Sequence, residues 1–219
     1  MRGHSVSEIF REIDEELRQD KLKEQWAKYG RYVVVVAVLV VGGVGGYKGW
    51  QYYELQQREK AAAMYAEAID LAGQKNLSEA AARLGQLADV GGTGYRIVGT
   101  LQQAALLVQA GDHQNAAVIY EKLAADTSIP EYYQELALIL MAMQQADDAD
   151  PQALIDRISP LAADGKPWRN TARELMASLY LRLNDTGAAR KELAAVADDL
   201  DAPATARARA AELLQTLPE

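Results

Sequence analysis

The chain has 219 residues, 49% hydrophobic and 25% charged, with a net charge of −8, which suits one soluble domain plus one short apolar segment and excludes a polytopic membrane protein. The first 60 residues are close to neutral, so nearly all the excess acid follows Lys60, and an acidic body makes no nucleic-acid partner because it cannot displace counterions from a phosphate backbone. Cysteine is absent, which removes disulfides, thiolate metal sites and cysteine nucleophiles.

The chain opens with a tail, "SVSEIFREIDEELRQDKLKEQWAKYG". Ser5 stands three residues before Glu8, the arrangement of a capping box. Ile9, Ile13 and Leu17 follow at four-residue steps, with Phe10 beside them and charge elsewhere, so the spacing predicts a short amphipathic helix running toward the apolar segment. Glu12, Asp14, Glu15 and Glu16 argue against its lying on anionic lipid.

The apolar segment comes next. From Tyr32 to Tyr47 there is no charge, and a helix there spans roughly 24 Å against a hydrocarbon core of about 30 Å. Arg31 and Lys48 can snorkel, and aromatic belts flank the run: Trp26, Tyr29 and Tyr32 on one side, Tyr47, Trp50, Tyr52 and Tyr53 on the other. The small residues Gly43, Gly45 and Gly46 would suit a signal peptidase. However, a structured stretch of about 30 residues precedes the run, and an aromatic, helical flank follows it, so an uncleaved anchor is favoured. Arg18, Lys21, Lys23, Lys28 and Arg31 outweigh Lys48, Arg58 and Lys60, which sets the N-terminus in the cytoplasm and the remainder across the membrane. Gly42, Gly45, Gly46 and Gly49 give small residues at four-residue spacing, a face on which a partner helix or a second copy of the span can pack closely.

After Lys60, Ala/Leu-rich amphipathic runs alternate with breaks at Gly73, Gly91–Gly94, Gly111, Asp147–Pro151, Gly165–Pro167, Asn184–Gly187 and Pro203. No β-branched alternation interrupts them, so the fold class is all-α. With one Phe and 11 Tyr, the core is built mainly from Ala, Leu, Ile and Val. A skeleton of turn residue, Ala, larger apolar and apolar recurs at about 36 residues. It reads Lys75, Ala80, Leu84, Leu87; then Gly111, Ala116, Tyr120, Leu123; then Asp148, Ala153, Arg157, Pro160; then Asn184, Ala189, Leu193, Val196. The third copy is degenerate, with Arg157 and Pro160 where apolar residues belong. The turn residue ends one helix in the left-handed region, the alanine lets two helices approach, and the larger residue fills the core between copies.

These copies resemble the tetratricopeptide repeat, which implies a stack of helical hairpins, an α-solenoid. The whole chain divides into a cytoplasmic amphipathic tail (1–30), a transmembrane helix (31–53) and a periplasmic repeat domain (54–219). With the exit sequence Tyr47, Trp50 and Gln51, this architecture is similar to the bacterial ancillary Sec translocon subunits. The resemblance implies a single-pass inner-membrane protein associated with the Sec translocon and with periplasmic chaperones that receive emerging client polypeptides. The alternative is a scaffold for envelope assembly or cell division without translocon contact.

No residue set suggests catalysis. His4 and His113 lie far apart, and His113 reads as a solvated turn residue. "GGTGYR" lacks the following Lys-Ser/Thr and preceding strand of a phosphate loop, and "DDADP" lacks the spaced ligands of a calcium loop. Cofactor and metal sites are therefore not expected, and the activity is binding. In such repeats the first helix of each pair lines the concave face, where Tyr95, Arg96, Tyr132, Tyr133, Trp168, Arg169 and Arg173 supply the aromatic and arginine side chains favoured at protein interfaces.

Overall fold

The computed structural model describes residues 6–217, with side chains for Lys23 and from Trp26 onward. Ser5 and His4 lie outside the described residues, and the side chains of Glu8, Ile9, Phe10, Ile13 and Leu17 lie outside the described set too. The described residues are helical, without strands. The chain divides into two units, one up to Gln56 and one from Gln57 on.

In the first unit the backbone belongs to helix α1 (Val6–Gly73). α1 contains one stretch long and apolar enough to cross a membrane, with mean hydropathy 1.7 over its most apolar 18 residues and none of that window buried. Val33 to Val36 and Val38 to Val41 all face outward. Among the described residues none packs on this window, and its length and composition are compatible with a single span. At its N-terminal edge the Trp26 ring lies flat across Gly30, where an added Cβ would come within 3.1 Å of the indole.

The second unit is a series of hairpins. The end of α1 pairs with α2 (Leu77–Val90), α3 (Thr93–Gln109) with α4 (His113–Ala124), α5 (Glu131–Gln145) with α6 (Pro151–Ile158), and α7 (Arg169–Arg182) with α8 (Thr186–Ala197). A last helix, α9 (Ala204–Thr216), packs on α8. Each second helix also packs on the first helix of the following pair, so the core is a chain of junctions. Ala61 and Ala68 meet Leu84 and Leu87 at one end, and Leu193 and Val196 meet Ala206 and Ala210 at the other.

The turns within the hairpins follow from one backbone device. Lys75, Gly111 and Asn184 have φ of 64°, 83° and 60°. In each case the residue after it donates its N–H five residues back, from Asn76 to Leu71, Asp112 to Leu107 and Asp185 to Tyr180. That is the Schellman closure of a helix C-terminus, which uses carbonyls the helix leaves unpaired. The next residue caps the following helix: Asp112 accepts from the Asn115 N–H and Asp185 from the Ala188 N–H.

Counting from the caps corrects the register of the third copy. Asp150 is the cap there, accepting from Gln152 N–H with Pro151 in the first turn. The turn residue is therefore Ala149, and the skeleton continues through Leu154, Ile158 and Leu161, all buried. Ala153, Arg157 and Pro160 are exposed. The step from Gly111 to Ala149 is 38 residues, against 36 before it and 35 after it, and the copy keeps its apolar core. Pro160 has no N–H to donate, so α6 ends at Ile158 and passes into a 3-10 turn, Ser159–Ala162. Ala149 does not adopt positive φ. Instead, Arg182 from the next hairpin donates to the carbonyls of Ala146 and Ala149.

Candidate functional site

On the first unit, Gly42, Gly45, Gly46 and Gly49 fall within about 100° of the helix circumference at 3.6 residues per turn. An added Cβ at any of them meets nothing within 4 Å. The four positions form an open strip among exposed valines.

On the second unit the seven candidate side chains divide by what they touch. Tyr95, Tyr133 and Trp168 occupy the same place in successive hairpins, sixteen residues ahead of the turn residue. Each packs on a core junction: Tyr95 against Leu84 and Leu87, Tyr133 against Ile97, Leu123 and Ile129, and Trp168 against Ile139, Leu161 and Ala172. They act as wedges between repeats.

The arginines are braces. Arg169 forms a two-pronged pair with Asp199, both bonds at 2.9 Å. In the equivalent place Arg96 reaches Ser128 Oγ at 2.8 Å, with its Nε 3.6 Å from Asp126. Arg173 donates twice to the Ala162 carbonyl and so holds the 3-10 turn. Hydrogen bonds from Ser128 hold the Asp126 carboxyl below its ordinary range, and Arg169 does the same for Asp199. These braces share a linker pattern that sequence reasoning passed over: Asp126-Thr-Ser-Ile-Pro130 and Asp199-Leu-Asp-Ala-Pro203. In both, the aspartate accepts from the backbone N–H two residues on, the fourth residue is buried, and the proline caps the next helix. The signal was legible as Asp, apolar and Pro at fixed offsets beyond α4 and α8, together with an Arg thirty residues ahead of each Asp.

Tyr132 is the exception. It is 47% exposed, its ring stacks on Trp168 at 4.9 Å, and Tyr133 meets it edge-on at 5.3 Å. His113, read from sequence as a solvated turn residue, is exposed but has its Nδ1 2.9 Å from Gln144 Oε1. Among the described residues no cluster of three or more His, Asp or Glu could hold a metal ion.

A further feature lay beyond the sequence candidates. Six residues ahead of each turn residue stand Ile69, Ala105, Met143 and Ser178, all exposed. Val98 and Leu181 add to the open apolar surface of these first helices. Three of the four residues at this register position are apolar and open to solvent, an exposure that the packing of the repeats does not use.

Comparison with known proteins gives one family. The model of the tetratricopeptide repeat-like domain matches residues 23–216, taking in the apolar stretch as well as the repeats. No curated protein and no solved structure matches. The chain belongs to the tetratricopeptide repeat-like domain family, whose members' repeats are protein-interaction scaffolds.

Proposed function

We propose that this protein is a non-enzymatic scaffold held in the bacterial inner membrane by one uncleaved span, with its N-terminus cytoplasmic and its repeats periplasmic. It associates there with the Sec translocon and links emerging polypeptides to periplasmic chaperones. The observation that carries this reading is the joining, in one chain, of an exposed apolar helix with mean hydropathy 1.7 to a repeat domain with an open apolar strip at Ile69, Val98 and Met143. An adaptor needs both. The span and tail supply the contact with the translocon, through Gly42, Gly45, Gly46 and Gly49, and the same face admits a second copy of the span. The strip supplies a surface for extended apolar segments, which is what a newly translocated chain or its chaperone presents.

Photo-crosslinking separates the parts of this reading. A crosslinker at Gly45 is expected to capture a translocon subunit, and one at Met143 a periplasmic chaperone or a nascent chain. If the Gly45 probe captures no translocon component while Met143 captures envelope-assembly or division proteins, the adaptor role is wrong and the scaffold serves that other process.

A further inference from the structure

The junction between the third and fourth hairpins carries a surface absent from the other junctions. Counted from the turn residues, the place held by Tyr132 is Gly94 in the second hairpin and Pro167 in the fourth. Only the third hairpin thus adds an outward aromatic ring beside the inward wedge. That ring is fixed on two sides, by Trp168 at 4.9 Å with a 39° tilt and by Tyr133 edge-on. Trp168 is itself fixed, since its Nε1–H donates to the Tyr132 carbonyl at 3.1 Å. Ring faces held in this way cost a ligand no ordering of the receptor.

The charge at the start of α5 is unbalanced. Lys166 donates to Glu131 at 2.9 Å and to Glu135 at 2.6 Å, so one cation faces two carboxylates. Glu135 is buried at 7% exposure, whereas the Glu131 side chain is 74% exposed. Lys166 holds the Glu131 carboxyl below its ordinary range. The one lysine is shared between two carboxylates, and the exposed one, Glu131, precedes Tyr132 at the start of α5. A fixed aromatic face beside an exposed carboxylate matches a planar cation, which stacks on the ring and hydrogen-bonds to the acid.

We propose that the Tyr132–Trp168 shelf, with Glu131 at its edge, receives an arginine side chain from an extended segment of a partner polypeptide. This rests on the scaffold reading and specifies the chemistry of one of its contacts.

The test uses the full chain in detergent micelles. The protein has three tryptophans, so replacing Trp26 and Trp50 by Phe leaves Trp168 as the sole reporter. The probe is an acetylated, amidated Gly/Ser peptide bearing two arginines, compared with the same peptide carrying citrulline. Saturable quenching of Trp168 by the arginine peptide is expected, with binding weaker by about tenfold for citrulline. Tyr132→Leu, which keeps apolar packing but removes the π face, and Glu131→Gln should each weaken binding about three- to tenfold. Asp148→Asn makes the same charge change in the turn between α5 and α6 and should leave binding unaltered. Equal weakening by Glu131→Gln and Asp148→Asn would reduce the effect to the general acidity of the domain and overturn the shelf. Wild-type affinity in a folded Tyr132→Leu protein would overturn it as well. Crosslinks from Met143, measured on the same variants, are independent of the shelf, so losing the shelf leaves the scaffold reading standing.

Discussion

Lys75, Gly111 and Asn184 perform the same turn at very different conformational cost. A side chain in the left-handed region crowds the following carbonyl by about 1–2 kcal/mol, which asparagine partly relieves and glycine avoids. Gly111 has open space where a Cβ would sit, so Gly111→Val adds backbone strain without a clash and should destabilise the domain by about 1–2 kcal/mol. Lys75→Gly should instead stabilise it by about 0.5–1 kcal/mol, because the strain relieved exceeds the extra freedom of the unfolded chain. Urea titrations of the two variants should move in opposite directions from wild type. The carboxylates give a second prediction. Asp126, Asp199 and Glu131 titrate lower in the folded protein than is ordinary. Their contribution is therefore present above the unfolded carboxylate range and is lost as pH falls below about 4 toward the folded values. The urea midpoint should decline on that acid limb, and Arg169→Gln should make the decline shallower, since Asp199 then titrates nearer its unfolded value. An unchanged acid limb in that variant would mean the brace does not form.

The hairpins repeat as units, and their side-chain contacts repeat with them. Arg157 pairs with Glu121, 36 residues earlier, Trp168 with Tyr132 at the same separation, and Arg209 with Glu174 at 35. These join neighbouring copies at nearly equivalent places. The turn, the alanine and the two apolar positions of three copies were legible in the sequence because backbone conformation and burial both select for them. The third copy was misregistered because Asp148, read as the turn residue, lies one position before Ala149, and only the Asp150 cap, which accepts from the Gln152 N–H, fixes the register. The contrast is measurable. Ile158 is fully buried in the central core, so Ile158→Ala should cost about 2–5 kcal/mol. Arg157→Ala removes only an exposed pair and should cost less than about 1 kcal/mol. Similar losses from the two would restore the sequence register. The candidate site was legible in composition but not in orientation. Aromatics and arginines do stand at the starts of the first helices, yet a one-residue step decides between the wedge Tyr133 and the open Tyr132, and single-sequence spacing cannot resolve a rotation of about 100°.

At the scale of the whole molecule, the two units ask different things of their surroundings. The repeats bury a core of their own, whereas the valine-rich stretch of α1 buries nothing in the described structure. If that stretch is an uncleaved anchor, the protein should resist alkaline carbonate extraction and keep its intact mass; a soluble species beginning near Gly46 would show that it is a signal. Within the anchor, the strip of Gly42, Gly45, Gly46 and Gly49 is open. Packing between membrane helices depends on close backbone approach, because lipid tails are as apolar as leucine and offer no hydrophobic drive. Gly45→Leu with Gly46→Leu raises the hydropathy of the span, so insertion stays favourable, and the repeat domain, which the substitutions do not touch, should melt as in wild type. Any loss of association is then steric. The double variant should recover less translocon in detergent and show less span-mediated self-association, and the loss should deepen when Ile9 and Ile13 of the tail are also made polar. Undiminished recovery in the quadruple variant would remove span and tail as docking elements. The apolar strip of the repeats would then carry the binding alone, and a scaffold without translocon contact would be the better account.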